Sequence, residues 1–494
     1  MKKILSSILS ILLVFAGASA LRAENVGVPA ECEDVMLQAF YWDSYKTQTS
    51  TDSKYGRTKW VDLRKDSIAI CNNFDLIWLP PSAFGGNGED ANAGGVGYIP
   101  KNFTNQTSAW GQGSTLEKFI ATMHRGGTKV IADIVINHHG NSNSWCTFYA
   151  DNFGAYGSYQ LTSAHICKND EVNSDDSAGS CKGAATGAND SGTNFEGARD
   201  LDHTNSYVQA WSKAYVKWMK NVMKYDGFRY DMTRGFKGEY LGQYNEASQP
   251  YLSVSEYWMD DVASQVSHLK ATGYNTMVFD FAQRSKVNNA LKYPNYRLLT
   301  NHTNSFRYQG LSRYAVTFID NHDTFERSDN KGAEFIGYGV DITNASNKRK
   351  ILQANAYILL LPGIPCVFYP HWVVCKDEIS ALIAVRKAAG IHSESTMSES
   401  ADLTNNTYEA TIQGHRGSVI LRMGVNRSTA VPEGYELAIE GGSAAEYTVF
   451  IAKKSQDVEN VEGGALRGEK FIEDGKLLIR RGEHVYDVLG RIIK

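Results

Sequence analysis

Eight short apolar runs recur between residues 35 and 370 of the 494-residue chain, each bounded by glycine, proline or polar residues. The runs are rich in Val, Ile, Phe, Tyr and Trp, which favour extended backbone. A short run that is apolar on both faces predicts a fully buried strand, as in a parallel sheet. The predicted strands cover residues 35–43, 74–80, 129–139, 227–232, 251–258, 275–281, 314–323 and 364–370.

Segments with a helical spacing of apolar residues lie between most of these strands. Examples are LEKFIATMHRGG, SYVQAWSKAYVKWMKNVMKY, DVASQVSHLKAT and RKILQANAYILLL. Alternating strands and helices indicate a parallel sheet, and eight such units predict an α/β fold, the (β/α)8 TIM barrel. In that fold the active site lies at the C-terminal ends of the strands, so polar residues at those ends become candidates for function.

The chain departs from the barrel pattern in three places. Residues 140–200, rich in Gly, Ser, Asn and Asp, are too long for a strand–helix loop and predict an inserted loop-rich domain after strand 3, with a disordered linker as the alternative. Residues 396–452 carry alternating strands and predict a C-terminal antiparallel β domain. Residues 453–494 predict a linker and a C-terminal appendage, which leaves residues 24–139 and 201–395 for the barrel.

The N-terminus and the overall charge restrict where the protein acts and on what. Residues 1–23 have the basic start and short apolar core of a signal peptide, and no later run of about 18 apolar residues follows. We therefore expect a secreted or periplasmic protein without a transmembrane segment, with attachment to the cell surface as an option. A formal net charge of −4 and a pI near 6.3 give no indication of a nucleic-acid partner.

The seven cysteines leave the disulfide pairing open. Export permits disulfides, but an odd number means that at least one thiol stays unpaired within the chain. Cys146, Cys167 and Cys181 share the loop-rich segment, and Cys366 and Cys375 are close in sequence, so either group could form a bridge. No C-x-x-C pair occurs, which argues against a structural zinc site.

Polar residues cluster where four of the predicted strands end. A single such residue is more often a hydrogen-bonded structural group, whereas four clusters at one rim of a barrel indicate a functional site. The alternation of side chains along a strand places Arg229 and Asp231 on one face, either as a structural ion pair or as a working carboxylate with its partner. The clusters are Asp133, Asn137 and His138 in strand 3, Arg229 and Asp231 in strand 4, Glu256 in strand 5, and Asn321, His322 and Asp323 in strand 7.

Several carboxylates with an arginine and two histidines, without a catalytic cysteine or a His-rich metal cluster, are typical of glycosidic cleavage. One carboxylate attacks the anomeric carbon and must be ionised, and Arg229 would lower the pKa of Asp231 for that task. The other must hold its proton near neutral pH, which burial and neighbouring carboxylates promote at Glu256. Contacts to the sugar itself would come from Asp323, His138 and His322.

These residues resemble the α-amylase family, glycoside hydrolase family 13. The four short motifs of that family are similar to DIVINH, GFRYD, SEYW and FIDNHD, at residues 133–138, 227–231, 255–258 and 318–323. LQAFYWDS, IWLPPS, GYIP, DLDHTN and PGIPCVFY are also similar to family segments, especially those of plant-type members. The resemblance extends over roughly residues 35–452, whereas the last 40 or so residues resemble the C-terminal appendages of secreted bacterial proteins.

The resemblance implies roles for individual residues. Asp231 matches the nucleophile, Glu256 the acid/base and Asp323 the residue that stabilises the transition state. Tyr98, in GYIP, matches an aromatic residue that stacks on the sugar at the cleavage subsite. The positions that match substrate-binding residues are Tyr98, His138, Arg229 and His322.

The resemblance also implies a structural calcium ion that ties the inserted segment to the barrel. Asn137 and Asp200 match ligand positions, and the backbone carbonyl of Gly235 could supply another oxygen, which suits a hard cation. DLDHTN, at residues 200–205, could equally be a helix-initiating turn. Many members carry Lys-His after the nucleophile motif, where this chain has Arg234 and Gly235, so the usual contacts to the leaving group are altered.

These features predict a secreted, retaining endo-α-amylase that cleaves internal α-1,4-glucosidic bonds of starch or related glucans as a monomer. One alternative is an enzyme of the same family with another product, such as a maltooligosaccharide-forming amylase or a transglycosylase. The other is a non-catalytic glucan-binding protein on a decayed barrel. Such a protein would be expected to lack a catalytic carboxylate, and all three are present.

Overall fold

The computed structural model describes residues 25–46, 55–86, 96–300, 303–327, 331–337, 341–441, 445–453, 469–473, 476–481, 484–487 and 493. The predicted signal peptide, residues 1–23, and most of the predicted linker after residue 453 lie outside these residues. The chain divides after Ala452 into two compact units. Within the described residues, no helix has both the length and the apolar character needed to span a bilayer.

Eight parallel strands close into a barrel, which confirms the predicted fold. Each strand lies inside one of the predicted apolar runs, and every residue of seven of the eight strands is buried. The strands are β1 Met36–Gln38, β2 Leu76–Trp78, β3 Lys129–Ile134, β4 Gly227–Tyr230, β5 Ser253–Ser255, β6 Met277–Phe279, β7 Ala315–Thr317 and β8 Ile364–Phe368. Each pairs with its neighbours along the chain, and β1 pairs with β8 to complete the ring.

Helices lie between the barrel strands, as the alternating pattern predicts. They are α1 Trp60–Lys65, α2 Ser67–Asn73, α3 Gly113–Arg125, α4 Ser206–Asn221, α5 Gly238–Ser248, α6 Val262–Ala271, α7 Phe281–Lys292, α8 Ala345–Leu360, α9 Tyr369–Val374 and α10 Lys376–Ala389. Short 3-10 helices occupy Thr233–Gly235, Tyr296–Leu299 and Ser312–Tyr314. α4 begins after Asn205, whose side chain accepts a hydrogen bond from the Tyr207 amide at 2.9 Å, so DLDHTN does include a helix-initiating turn.

The segment between β3 and α4 is built from short elements. Two-residue strands pair His138–His139 with Arg199–Asp200 and Asp151–Asn152 with Ser158–Tyr159. A disulfide joins Cys146 to Cys181, whereas Cys366 and Cys375 are free buried thiols, so only the first of the two possible groups forms a bridge. The 3-10 helices of this segment are Gly154–Tyr156, Ser163–His165, Glu171–Asn173 and Asp176–Cys181.

The C-terminal sheet is antiparallel and has five strands, which confirms the predicted β architecture. Its strands are β9 Thr396–Asp402, β10 Thr407–Gly414, β11 Gly417–Met423, β12 Tyr435–Glu440 and β13 Tyr447–Ala452, in the spatial order β9-β10-β11-β13-β12. β9 was missed in the sequence because TMSESAD carries few apolar residues, and no position of this edge strand is fully buried. The second unit contains an antiparallel sheet of β14 Glu469–Glu473, β15 Lys476–Arg481 and β16 His484–Asp487.

A buried arginine fixes the turn that leads into β8. Arg386 of α10 is fully buried, and its Nη1 donates to the carbonyls of Leu359 at 2.8 Å and Leu361 at 3.0 Å, while Nη2 donates to that of Gly363 at 2.8 Å. The three carbonyls belong to alternate residues that run from the last turn of α8 into the turn before β8, and the end of a helix leaves backbone acceptors without partners of its own. Arg386 therefore supplies hydrogen-bond donors to backbone carbonyls that have little access to water.

We expect Arg386→Met to destabilise the protein strongly, because three buried carbonyls lose their donor. A loss of about 3–5 kcal/mol is typical for a broken buried charged network, which corresponds to a fall of roughly 4 °C in Tm for a unit of this size. The control is Lys387→Met on the same helix, which removes a half-exposed pair with Asp75 at 2.9 Å and should cost about 1 kcal/mol or less. Equal losses of Tm in the two variants would contradict the assignment.

Candidate active site

Four carboxylates and one arginine come together at the C-terminal ends of the barrel strands. Asp133 in β3 and Arg229 in β4 are register partners and lie side by side. The last residues of β4 and β5 are also register partners, so Asp231 and Glu256, which follow them, leave the barrel next to each other. Asp323 follows β7, and its charge raises the pKa values of both Asp231 and Glu256, which places it in the same cluster.

Arg229 connects three of these carboxylates. Its Nη1 donates to Asp133 Oδ1 at 2.7 Å and to Asp231 Oδ1 at 2.8 Å. Its Nη2 lies 2.6 Å from Glu256 Oε1 as a charge contact outside hydrogen-bond geometry. The guanidinium is fully buried, and it also lies over the ring of Trp78 at 5.1 Å. One positive charge is therefore shared among three buried negative groups.

Because Arg229 is shared among three carboxylates, it does not offset the burial that raises the pKa values of Asp231 and Glu256. Burial raises the pKa of Asp231 to about 7, because the lowering effect of Arg229 is smaller and Asp133 and Asp323 add to the rise. Burial likewise raises the pKa of Glu256 to about 8, again against Arg229. Burial thus favours the protonated form of Glu256, as an acid requires. Arg229 lowers the pKa of Asp231, as expected from the sequence, but burial outweighs this effect and the net shift is upward.

A strained turn completes the hydrogen bonding of Glu256. Met232 directly follows Asp231 and has φ +44°, a left-handed conformation that is uncommon for a residue with a side chain. In this conformation the Met232 amide donates to Glu256 Oε2 at 3.0 Å. The turn therefore holds both Asp231 and Glu256, and its strain is the kind found at functional sites.

His322 is held as a neutral ring beside Asp323. Burial and the charge of Arg229 lower the pKa of His322 well below its ordinary value. The Gln38 side-chain amide, on β1, donates to His322 Nδ1 at 3.0 Å, so the ring proton lies on Nε2 and donates to Asp323 Oδ2 at 3.1 Å. Arg327 Nη1 donates to the other carboxylate oxygen of Asp323 at 2.9 Å.

Tyr98 and His138 border the same cluster. The Tyr98 hydroxyl donates to Asp133 Oδ2 at 2.8 Å, and its ring stacks on His322 with a centroid distance of 5.0 Å. His138 Nε2 donates to the Tyr98 carbonyl at 2.7 Å, and burial lowers the pKa of His138 to about 4, so this ring is neutral as well. The structure therefore brings Tyr98, His138 and His322 to the carboxylates that the sequence singled out.

Two aromatic residues at this rim had no role in the sequence analysis. Trp42 lies parallel to Tyr98 and His322, with interplanar angles of 6° and 3°, and Phe195 stacks on His138 at 4.2 Å. Both are only half buried. Such partly exposed ring faces beside carboxylates suit the apolar face of a sugar. Trp42 follows β1 within LQAFYWDS, so its position just after a barrel strand could have identified it, whereas Phe195 lies in the inserted segment and gave no signal.

The three residues implied for a cation also come together. Asn137 Nδ2 lies 3.3 Å from Asp200 Oδ1, and a Cβ added to Gly235 would lie 1.8 Å from Asn137 Oδ1, so that amide oxygen packs directly on the Gly235 backbone. Burial, together with the neighbouring Asp190 carboxylate, raises the pKa of Asp200 to about 9. Two close carboxylates without a nearby countercharge are costly to bury.

The donor set fits a hard divalent cation. Asp190 Oδ2 is buried and receives no hydrogen bond from the described residues, which leaves an acceptor for an ion next to Asp200. Carboxylate, amide and backbone carbonyl oxygens are the ligands that calcium prefers. Asp190 was not identified in the sequence, because it lies in a Gly/Ser/Asn-rich stretch where an acidic residue carries no positional signal.

The chain is similar to known proteins over most of its length. The model of the alpha amylase catalytic domain matches residues 73–407, more than half of the chain. A probable alpha-amylase of Arabidopsis thaliana is 29% identical over 384 residues, which cover 74% of this chain and 82% of that protein. A glucan 1,4-alpha-maltotetraohydrolase of Stutzerimonas stutzeri is 24% identical over 79% of this chain and 68% of its own length.

A solved structure shares the fold over almost its whole length. The alpha-amylase from Geobacillus thermoleovorans, crystallised with acarbose, superposes with a TM-score of 0.61 at 16% identity, covering 86% of this chain and 99% of that one. At this identity the likeness shows the fold alone. The family match, however, spans the barrel strands β3, β4, β5 and β7 that carry the carboxylate cluster. The chain therefore belongs to the alpha-amylase family of glycoside hydrolases.

Proposed function

We propose that this protein is a secreted, retaining, endo-acting α-amylase that hydrolyses internal α-1,4-glucosidic bonds of starch and related glucans. The observation that carries the proposal is the contact of one buried arginine, Arg229, with both Asp231 and Glu256. Two carboxylates of unequal proton affinity at a sugar-binding rim are what glycosidic cleavage requires. Export rests on the signal peptide predicted at residues 1–23.

The two carboxylates divide the chemistry between them. Glu256 donates its proton to the glycosidic oxygen as the bond to the anomeric carbon breaks, and Asp231 attacks that carbon to form a covalent glycosyl-enzyme. Glu256, now ionised, takes a proton from a water molecule that attacks the same carbon and releases Asp231. Both groups regain their starting protonation, and the two inversions leave the anomeric configuration unchanged.

The surrounding residues bind the sugar and support its positive charge in the transition state. Asp323 supplies a carboxylate that His322 and Arg327 hold by hydrogen bonds. His138 and His322 are neutral, so they add no positive charge against the developing oxocarbenium ion. The rings of Tyr98 and Trp42 are parallel, and since the Arg327 guanidinium covers one face of Trp42 at 3.3 Å, Tyr98 is the main candidate for stacking on the sugar.

A calcium ion at Asn137, Asp190, Asp200 and the Gly235 carbonyl would supply the positive charge that these acidic groups otherwise lack. Asn137 is adjacent to His138, and Asp200 pairs with His138 in a two-stranded ladder. The residues that would hold the ion therefore also hold His138 against the substrate. The role of the ion is structural, and no step of the reaction passes through it.

One relative suggests a second candidate activity, the release of a short oligosaccharide. The maltotetraohydrolase of Stutzerimonas stutzeri matches over 79% of this chain, so release of a short product of fixed length is the principal alternative. A non-catalytic glucan-binding protein is disfavoured, since Asp231, Glu256 and Asp323 all lie in one cluster. We expect the protein to act as a monomer.

Replacing the acid/base gives the first test. We expect Glu256→Gln to lower kcat on soluble starch by about 10³-fold, within the range for loss of a general acid, because Gln cannot donate a proton to the leaving oxygen. Reducing ends released per unit time measure the effect. Glu239→Gln, an exposed residue of α5, is the matched control and should retain full activity.

The products of the wild type distinguish the remaining options. An endo-acting enzyme abolishes iodine staining of starch while few reducing ends have appeared, and a retaining enzyme releases sugars first as the α-anomer in NMR spectra. A dominant maltotetraose product would favour the alternative activity. If the calcium-loaded wild type released no reducing ends at all, the hydrolase proposal would be refuted.

The pH dependence follows from the two raised pKa values. Asp231 must lose its proton to attack, so kcat/KM should rise towards pH 7, and Glu256 must keep its proton, so kcat/KM should fall above about pH 8.

Asp133→Asn removes a charge that raises the pKa of Asp231, so the acidic limb of the pH profile should move to lower pH. Asp280→Asn is the control, because Asp280 is also buried with a pKa raised to about 6 but caps α7. An acidic limb that stays in place in Asp133→Asn would argue against Asp231 as its origin.

Removing calcium tests whether the ion stabilises the fold. We expect EGTA to lower Tm, because Asp190 and Asp200 lose their countercharge, and added calcium should restore both Tm and activity. Asp200→Asn should weaken calcium binding at least tenfold by titration calorimetry. Asp176→Asn, an exposed carboxylate of the same segment, should leave the affinity unchanged. Unaltered calcium affinity in Asp200→Asn would place the ion elsewhere.

A further inference from the structure

Three potential metal ligands meet at a site remote from the catalytic carboxylates. Glu31 precedes the N-terminal end of β1, His392 follows α10, and His415 lies in the two-residue turn between β10 and β11. One ligand atom of each side chain lies within 4.8 Å of the others. The catalytic carboxylates, by contrast, follow the C-terminal ends of their strands. The cluster therefore belongs to the junction of the barrel with the C-terminal sheet.

His415 is already oriented as a metal ligand would be. Its Nδ1 donates to Glu33 Oε1 at 3.2 Å, and Arg416 fixes that carboxylate with contacts of 3.0 and 2.6 Å to its two oxygens. In a neutral ring that carries its proton on Nδ1, the lone pair of Nε2 faces Glu31 Oε2 at 3.5 Å. A carboxylate behind a ligating histidine is the usual arrangement that sets its tautomer.

The separation of these two atoms suits an ion between them. A lone pair and a carboxylate oxygen repel each other unless a proton or a metal ion lies between them. Ligands bonded at 2.0–2.1 Å with tetrahedral angles are about 3.3 Å apart, close to the 3.5 Å that separates His415 Nε2 from Glu31 Oε2. The pair thus has nearly the spacing of two ligands of one zinc-sized ion.

The backbone around Glu31 is fixed by several hydrogen bonds. The Glu31 amide donates to Glu394 Oε2 at 2.8 Å, the Cys32 amide donates to Ser393 Oγ at 3.1 Å, and the Ser393 amide donates to the Cys32 carbonyl at 2.9 Å. These bonds hold the segment before β1 against the residues that follow His392. Two of the three ligands are therefore held near each other before any ion binds.

One ring must turn to complete the site. The rings of His392 and His415 are stacked, with centroids 4.0 Å apart and planes at 17°, so their in-plane lone pairs run side by side instead of converging. His415 keeps its bond to Glu33, so the ring that turns is His392, whose Nδ1 gives up a 3.3 Å hydrogen bond from the Glu394 amide. The three negative charges of Glu31, Glu33 and Glu394 exceed the two positive charges of Arg416 and Arg386, which both interact with Glu33, and favour a cation here.

We propose that Glu31, His392 and His415 bind one divalent transition-metal ion of the zinc type, with Glu33 orienting His415 and water as the fourth ligand. Two imidazoles and one carboxylate are a common ligand set for zinc. The ion would tie the N-terminal segment, the end of α10 and the turn of the C-terminal sheet together. The absence of a C-x-x-C pair does not bear on this site, because its ligands are far apart in sequence.

The test uses the full chain, without an affinity tag and with calcium at saturation, so that the calcium ligands do not compete. Zinc titrated by calorimetry should bind with a stoichiometry of one, and Tm should rise by about 3 °C at a hundredfold excess over Kd. Cobalt(II) in place of zinc should give the strong visible absorption of a four-coordinate ion. Starch hydrolysis should not change on addition of zinc.

Matched variants decide the outcome. His415→Ala and Glu31→Gln, both at exposed positions, should each abolish the zinc-dependent rise in Tm and the cobalt absorption, while His124→Ala, an exposed histidine of α3, should retain both. Absence of zinc binding in the wild type, or its survival in both ligand variants, would overturn the proposal. A pH-dependent Tm that disappears in His415→Ala without any effect of zinc would mean that the cluster binds protons only.

Discussion

The contact of Arg229 with Asp133, Asp231 and Glu256 is the interaction on which the rest of the site depends. A guanidinium buried without partners would be prohibitively costly, and so would each of the three carboxylates. Because the four groups come from β3, β4 and the residue after β5, the register of three neighbouring strands must be correct before any of them is satisfied. The strand register of the barrel therefore determines the geometry of the site. In turn, the ion pairs of the site stabilise the barrel only when its strands are in the correct register.

Burial raises the pKa values of the three carboxyl groups, whereas the single positive charge of Arg229 lowers them. The balance of the two effects determines which groups are protonated. Sequence adjacency shows that Arg229 lies beside Asp231, but it does not show that the same guanidinium also serves Asp133 and Glu256. Divided among three carboxylates, Arg229 cannot offset the burial of any one of them, and their pKa values rise to between about 6 and about 8. In the proposed mechanism this rise favours the proton that Glu256 must hold at the start of the reaction, whereas the effect of Arg229 on Asp231 favours ionisation.

The sequence predicted the parts that follow from local pattern. All eight barrel strands lie in apolar runs, and Asp231 and Glu256 were found because they lie near the ends of such runs. Gln38 escaped notice, since its role depends on His322, 284 positions away, which approaches it only when β1 and β7 are in one ring. β9 was missed for a different reason: an exposed edge strand needs no apolar face. The two features that the sequence did not predict are therefore a contact between residues far apart in the chain and a strand without a buried face.

The inserted segment shows how a polar stretch can still support catalysis. Its elements are two-residue strands and short 3-10 helices, so regular structure contributes little, and the Cys146–Cys181 bridge restrains only its middle. Its attachment to the barrel is a ladder in which Asp200 pairs with His138, next to Asn137. The calcium ion proposed above would neutralise the acidic groups at this seam, and it would at the same time hold His138 in place. In that proposal, a segment built from short elements gains rigidity next to the residue that would contact the substrate.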